Sequence, residues 1–198
     1  KKGKEAFDKS DYIKALEFAI QCGDEVYKVM ALHDEAMEKL RNATKLINLA
    51  YKMKAKVQKA EEWLKKANSS LEAGNFDSAN QAGEKSIEEA KSSVLEQLDL
   101  LMSRFEELLS FARNLNLEVA LHAQRMTEIK GLIAEANYES ANNLLELGKE
   151  DLEKKVSRAL RESIERTEAM ISHAKKLEAD TSEGEGLLKE ALSALSQG

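Results

Sequence analysis

Proline is absent from the 198 residues, cysteine and tryptophan occur once each, and aromatic residues make up only 5% of the chain. Each scarcity excludes something. A sheet protein needs turn residues and β-branched or aromatic strands, so a chain dominated by Ala, Leu, Glu, Lys and Ser reads as all-α. The lone thiol, Cys22, leaves no internal disulfide and no second sulfur for a redox or zinc site. No apolar run approaches the roughly 18 residues of a membrane span and no signal peptide is visible, so no membrane insertion is expected of this segment. The cellular compartment stays open. Positive charge is not segregated either. Thirty Lys and Arg are interspersed among 36 Asp and Glu for a net charge of −6, whereas nucleic-acid binding needs clustered cations to displace phosphate counterions. The run Lys52, Lys54, Lys56 and Lys59 reads as a solvated helix face.

What is present is periodicity. The chain is 42% apolar, and the apolar residues recur at helical spacing, which argues against disorder. Gly74-Asn75-Phe76-Asp77-Ser78-Ala79 returns as Ala136-Asn137-Tyr138-Glu139-Ser140-Ala141, at an offset of 62. Ser10-Asp11-Tyr12-Ile13-Lys14-Ala15 carries the same aromatic and alanine at an offset of 64 from the middle copy. Stepping by 62 also aligns Leu32, Val94 and Val156; Leu40, Met102 and Ile164; Ala50, Ala112 and Ala174; and Leu71, Ile133 and Leu195. A fourth motif would begin at Gly198, so the chain is expected to be a fragment of a longer array: the end of a preceding repeat in 1–10, then repeats 11–74, 75–136 and 137–198.

The first copy is two residues longer, with the extra pair falling near Gln21-Cys22-Gly23-Asp24. Two inserted residues turn a helix face by about 200°, which predicts a bulge, kink or tightened turn absorbed at Gly23. Gly83 and Gly148 sit in similar early-helix places, either for that reason or to let a neighbouring helix approach closely.

Each unit carries two break signals. At the first, Gly74 suits the left-handed conformation and Asn75 caps the next helix. At the second, Asp180-Thr181-Ser182-Glu183 reads as a helix start, with Asn116 as the equivalent cap in the middle copy and no good cap in Met53-Lys54-Ala55-Lys56. The breaks predict a long helix of roughly 38 residues and a short antiparallel one of roughly 20, near 57 Å and 30 Å. A short helix covers half of its long neighbour, so the array would be elongated, with three helices in every cross-section. Tyr12, Phe76 and Tyr138 are expected to plug the ends of the layers.

A long helix passing from one three-helix unit into the next resembles the spectrin repeat, although Trp63 occurs in one copy only. The corner Gly74-Asn75-Phe76 with Ala79 resembles a tetratricopeptide helix turn. Both resemblances are architectural, and neither carries functional residues onto this chain.

No chemistry-bearing motif accompanies the repeat. His33, His122 and His173 lie in no Glu-x-x-His or His-x3-His arrangement. Glu118 precedes His122 by four residues, which reads as a surface pair on one helix face. There is no Gly-rich phosphate loop and no nucleophile elbow. Catalytic, cofactor and metal sites are therefore all entered as none, and an enzyme is not expected. The expected role is a non-catalytic spacer, stalk or scaffold, whose partners are other proteins or flanking domains. The alternative is an interaction module that docks a helix or peptide on a repeat face, with self-association a further option. Leu95, Leu100, Leu117 and Leu121, near or outside the main stripe, are the sparse candidates for such contacts, and they equally suit the third-helix contact or a dimer seam.

Overall fold

In the computed structural model residues 1–197 are described, with side chains to residue 194, and they form seven α-helices and no strand. The helices are α1 Lys2–Asp8, α2 Tyr12–Lys52, α3 Gln58–Glu72, α4 Phe76–Asn114, α5 Ala120–Ala134, α6 Tyr138–Lys176 and α7 Ser182–Gln197. Leu195 and the expected fourth motif at Gly198 fall outside the described side chains and residues respectively. The chain divides into two compact units, Lys1–Asp99 and the remainder from Leu100, with the division inside α4.

Backbone geometry at the helix ends follows the sequence period. The left-handed residues are Ser10, Gly74 and Ala136 at one kind of corner, and Lys54, Asn116 and Glu178 at the other, with φ between 55° and 72°. At each corner the next amide reaches back five residues to a helix carbonyl. Asn75 N–H donates to Ser70 O at 2.9 Å and Asn137 N–H to Leu132 O at 2.8 Å. Ala55, Leu117 and Ala179 donate to Ala50, Ala112 and Ala174 at 2.9, 3.0 and 3.1 Å. This closure satisfies the orphan carbonyls of a helix C-terminus.

Long helices start on side-chain caps. Asp11, Asn75 and Asn137 Oδ1 accept from the amides of Lys14, Ser78 and Ser140 at 3.2–3.3 Å, as expected for Asn75. Asn116 departs from the expectation. It is the left-handed residue that ends α4 (φ 55°) and caps nothing, because asparagine tolerates that conformation better than other side chains do. The short helices α3 and α5 begin instead at the buried Val57 and Val119, which offer no side-chain cap of their own, and at α5 the neighbouring Glu118 carboxylate takes the first amide, that of Ala120. They span 15 residues each, fewer than the expected 20, while α2, α4 and α6 span 41, 39 and 39.

The expected break near Gly23 does not occur. α2 is one continuous α-helix through Gln21–Asp24, and a β-carbon on Gly23 would meet no atom within 4 Å. The two added residues lengthen the helix and rotate the apolar stripe of its first half away from that of its second by about 200°. Gly83 and Gly148 are sites of close helix approach. A β-carbon on Gly83 would lie 3.1 Å from Lys39 Cβ, and one on Gly148 3.1 Å from Phe105 Cζ.

In the first unit alanines are the commonest core side chains, beside the larger Met53, Val57, Val94 and Leu98. Ala36, Leu40, Ala43, Ile47 and Ala50 of α2 meet Ala60 and Ala67 of α3 and Ala79, Ala82 and Ala90 of α4, all buried. The second unit buries larger groups: Phe105 and Leu109 of α4, His122, Met126 and Ile129 of α5, and Tyr138, Leu145, Leu152 and Val156 of α6. The three corner rings differ in burial. Tyr138 is buried and Phe76 half-buried, packing edge-on against His33 at 5.4 Å, whereas Tyr12 is 62% exposed and touches Phe7 alone among the rings. Tyr12 therefore plugs no layer, since the seven-residue α1 covers only the start of α2.

Candidate functional site

The most chemically distinctive group in the molecule is His122. It lies on the α5 face turned to α6, fully buried, in the register position that Ala60 and Gly184 occupy in the other copies and that otherwise holds a small residue. Its partner is not Glu118, whose carboxylate accepts the Ala120 amide at 2.9 Å. Instead His122 Nε2 lies 2.9 Å from Asp151 Oδ2 on α6. A carboxylate only accepts, so Nε2 carries the proton and Nδ1 is a bare lone pair, buried without a hydrogen-bond partner.

Electrostatics keep the ring neutral. Burial pushes the His122 pKa below its ordinary value, and the Lys155 ammonium pushes the same way, against the opposing pull of Asp151. Asp151 is held below the usual carboxylate range, chiefly by its hydrogen bond from Lys155, 3.2 Å away, and less by His122. Arg125 stands 3.8 Å from the same carboxylate. A neutral imidazole sealed from solvent and pinned at one nitrogen can lock α5 onto α6.

The remaining sequence candidates are dispersed. His33 is exposed beside Asp34 at 3.1 Å, and His173 is exposed near the end of α6. Among the described residues, no group of three or more His, Cys, Asp or Glu side chains converges as a metal cage. No described helix is long and apolar enough to cross a membrane. Lys54, from the basic run, is the left-handed residue closing α2. Two ammonium groups lie over the Trp63 ring, Lys66 at 4.1 Å and Lys85 at 4.5 Å from its centre. Of the candidate contact leucines, Leu100 and Leu121 are exposed, and Leu95 and Leu117 are half-buried.

Two larger apolar surfaces were not anticipated. The first half of α2 exposes Ile13, Leu16, Ile20, Val26, Tyr27 and Met30, with Ile13 and Tyr27 each 75% accessible. Between α6 and α7 an open groove of about 700 Å³ is lined by Leu160, Ile164, Gly184, Leu187, Leu188 and Ala191. Both were present in the sequence as stripes. That no described helix fills the groove, and that α1 covers only the start of α2, is visible only in the fold.

Compared with protein-family models, curated proteins and solved structures, the chain finds no match.

Proposed function

We propose that this chain is a non-catalytic structural segment, a spacer, stalk or scaffold made of tandem helical repeats whose motifs recur at an offset of 62. Each repeat is a long helix and a short antiparallel one, and three helices share every layer, in the manner of a spectrin-like rod with tetratricopeptide-like corners. The observation that carries the reading is the recurrence of helix ends. Left-handed residues stand at 54, 116 and 178, a constant spacing, each followed by the same five-residue closure. The helices of 39 residues span about 58 Å apiece. Arrays of this kind draw stability from nearest-neighbour contacts, so their length can be set by repeat number.

Small-angle scattering tests the reading. A maximum dimension near 100 Å for the monomer, about 30 Å advanced per repeat plus the overhanging helices, supports a spacer. A compact particle with the helices folded back on one another overturns it.

An interaction module is the second reading, favoured by the exposed apolar face of α2 and the open α6–α7 groove. Contiguous apolar surface of this kind marks contact sites in other proteins.

A further inference from the structure

Cations on the helix surfaces pair with carboxylates one turn away on the same helix: Lys39 with Glu35 at 2.8 Å, Lys154 with Glu150 at 2.6 Å and Arg158 with Glu162 at 2.9 Å. Lys66 and Lys85 have the same opportunity, since Glu62 stands four residues before the first and Glu89 four residues after the second. Neither takes it. Among the described residues neither ammonium makes an ion pair. Both lie over the ring of Trp63 instead, Lys66 from the same helix, α3, and Lys85 from α4. Two like charges are thus gathered on one aromatic ring without a carboxylate to neutralise them.

The two lysines border an open recess of about 320 Å³ between α3 and α4, with Trp63, Ser70, Ser78 and Gln81 around it. The lining offers ammonium, hydroxyl and amide donors and contains no carboxylate. A polar recess on α6 differs: Glu146, Glu150 and Glu153 line it, and its Lys149 is paired with Glu153 at 3.7 Å. Trp63 packs on Leu40, Ala67 and Ala82 of the core, so its ring is an anchored wall. Packing does not require this set of side chains. One repeat later the positions of Trp63, Lys66 and Lys85 hold Arg125, Glu128 and Leu147, and the equivalent α5–α6 seam forms without them.

We propose that the α3–α4 recess binds a phosphate monoester, with Lys66 and Lys85 holding the phosphate and Trp63 taking the group attached to it. A lysine ammonium binds phosphate as a compact point charge. Two of them match the roughly two negative charges of a phosphate monoester at neutral pH, where a carboxylate supplies one. The hydroxyls of Ser70 and Ser78 and the Gln81 amide donate to the phosphate oxygens. The recess is larger than a bare phosphate and its apolar wall is an aromatic ring, which favours an ester of a flat group. All six residues lie within the first unit, so the site stands whether or not the chain is a spacer.

Trp63 is the single tryptophan, so its fluorescence reports on the site directly. Titrating the whole chain with phenyl phosphate should change that emission saturably at millimolar concentration or below, in step with a shift of the phosphorus resonance of the ligand. Inorganic phosphate should bind at least tenfold more weakly, and added salt should weaken both. Lys66→Glu combined with Lys85→Leu installs the residues of the second repeat. This double variant should keep its helical circular dichroism while its affinity for phenyl phosphate falls at least tenfold. Lys154→Gln, which removes an exposed cation paired with Glu150, should leave the affinity unchanged. Binding absent by both emission and phosphorus resonance overturns the proposal, as does binding that survives the double variant or that Lys154→Gln weakens equally. Inorganic phosphate binding as tightly as phenyl phosphate overturns the role of Trp63 and with it the ester. A short phosphotyrosine peptide separates the sources: binding at least tenfold tighter than phenyl phosphate assigns the site to a phosphorylated partner protein, and equal or weaker binding assigns it to a small phosphate ester.

Discussion

Phe105 and Gly148 are fitted to one another across α4 and α6, the ring edge standing 3.1 Å from where a β-carbon on the glycine would be. One repeat earlier the same two positions hold Ala43 and Ser86, both buried. A large ring facing no side chain in one copy thus replaces two small side chains in the other. Close-packed interiors tolerate such exchanges when the total volume is kept.

Gly148→Ala should therefore destabilise. Alanine gains about 1 kcal/mol in helix propensity over glycine, but overpacking against a buried ring costs about 1–3 kcal/mol. The expected net loss is on the order of 1 kcal/mol by urea denaturation. Gly23→Ala meets no atom within 4 Å and should stabilise by about 0.5–1 kcal/mol. A loss there would show that α2 is interrupted at Gly23 after all.

Ala136 ends α5 with φ 58°, a conformation that costs an L-residue roughly 1 kcal/mol or more. Ala136→Gly should raise the thermal midpoint, with a gain of about 0.5–1 kcal/mol.

The two roles of asparagine can be separated. Asn137→Ala removes a capping oxygen and should cost about 1 kcal/mol. Asn116→Gly should be neutral or stabilising, because that position asks for a left-handed backbone and supplies no cap. Equal losses in both variants, read by chemical denaturation, would refute the distinction.

His122 gives the pH dependence its sign. Its pKa is lower in the folded chain than the ordinary value of 6.5, so the unfolded chain takes up a proton first as pH falls. The stability carried by the neutral ring is fully present above about pH 6.5 and is lost as pH drops toward the folded pKa, at no more than about 1.4 kcal/mol per pH unit. Asp151, held low beside Lys155, contributes in a lower window, above its ordinary value of 3.8 and lost beneath it. His122→Gln should flatten the stability profile between pH 6.5 and the lower window. An unchanged profile would mean that the ring is not sealed as described.

Periodicity revealed the helices, their corners at Gly74 and Ala136, and the cap at Asn75, because those features depend on neighbours within a few residues. The register also contained a clue to His122, which occupies a position held elsewhere by Ala60 and Gly184, yet its partner Asp151 lies 29 residues away on another helix. Local spacing pointed to Glu118 instead, and local spacing has no information on which helix faces which.

The sequence by itself determined an all-helical chain whose breaks recur at a regular period, since backbone propensity, capping chemistry and apolar period are properties of short segments. Only the tertiary structure decided that α2 passes unbroken through Gly23, that Phe105 fills the space left by Gly148, and that the α2 face and the α6–α7 groove stand open. Those outcomes depend on whether a neighbouring helix is present to fill volume and cover apolar surface, and that is settled by packing between segments far apart in the chain.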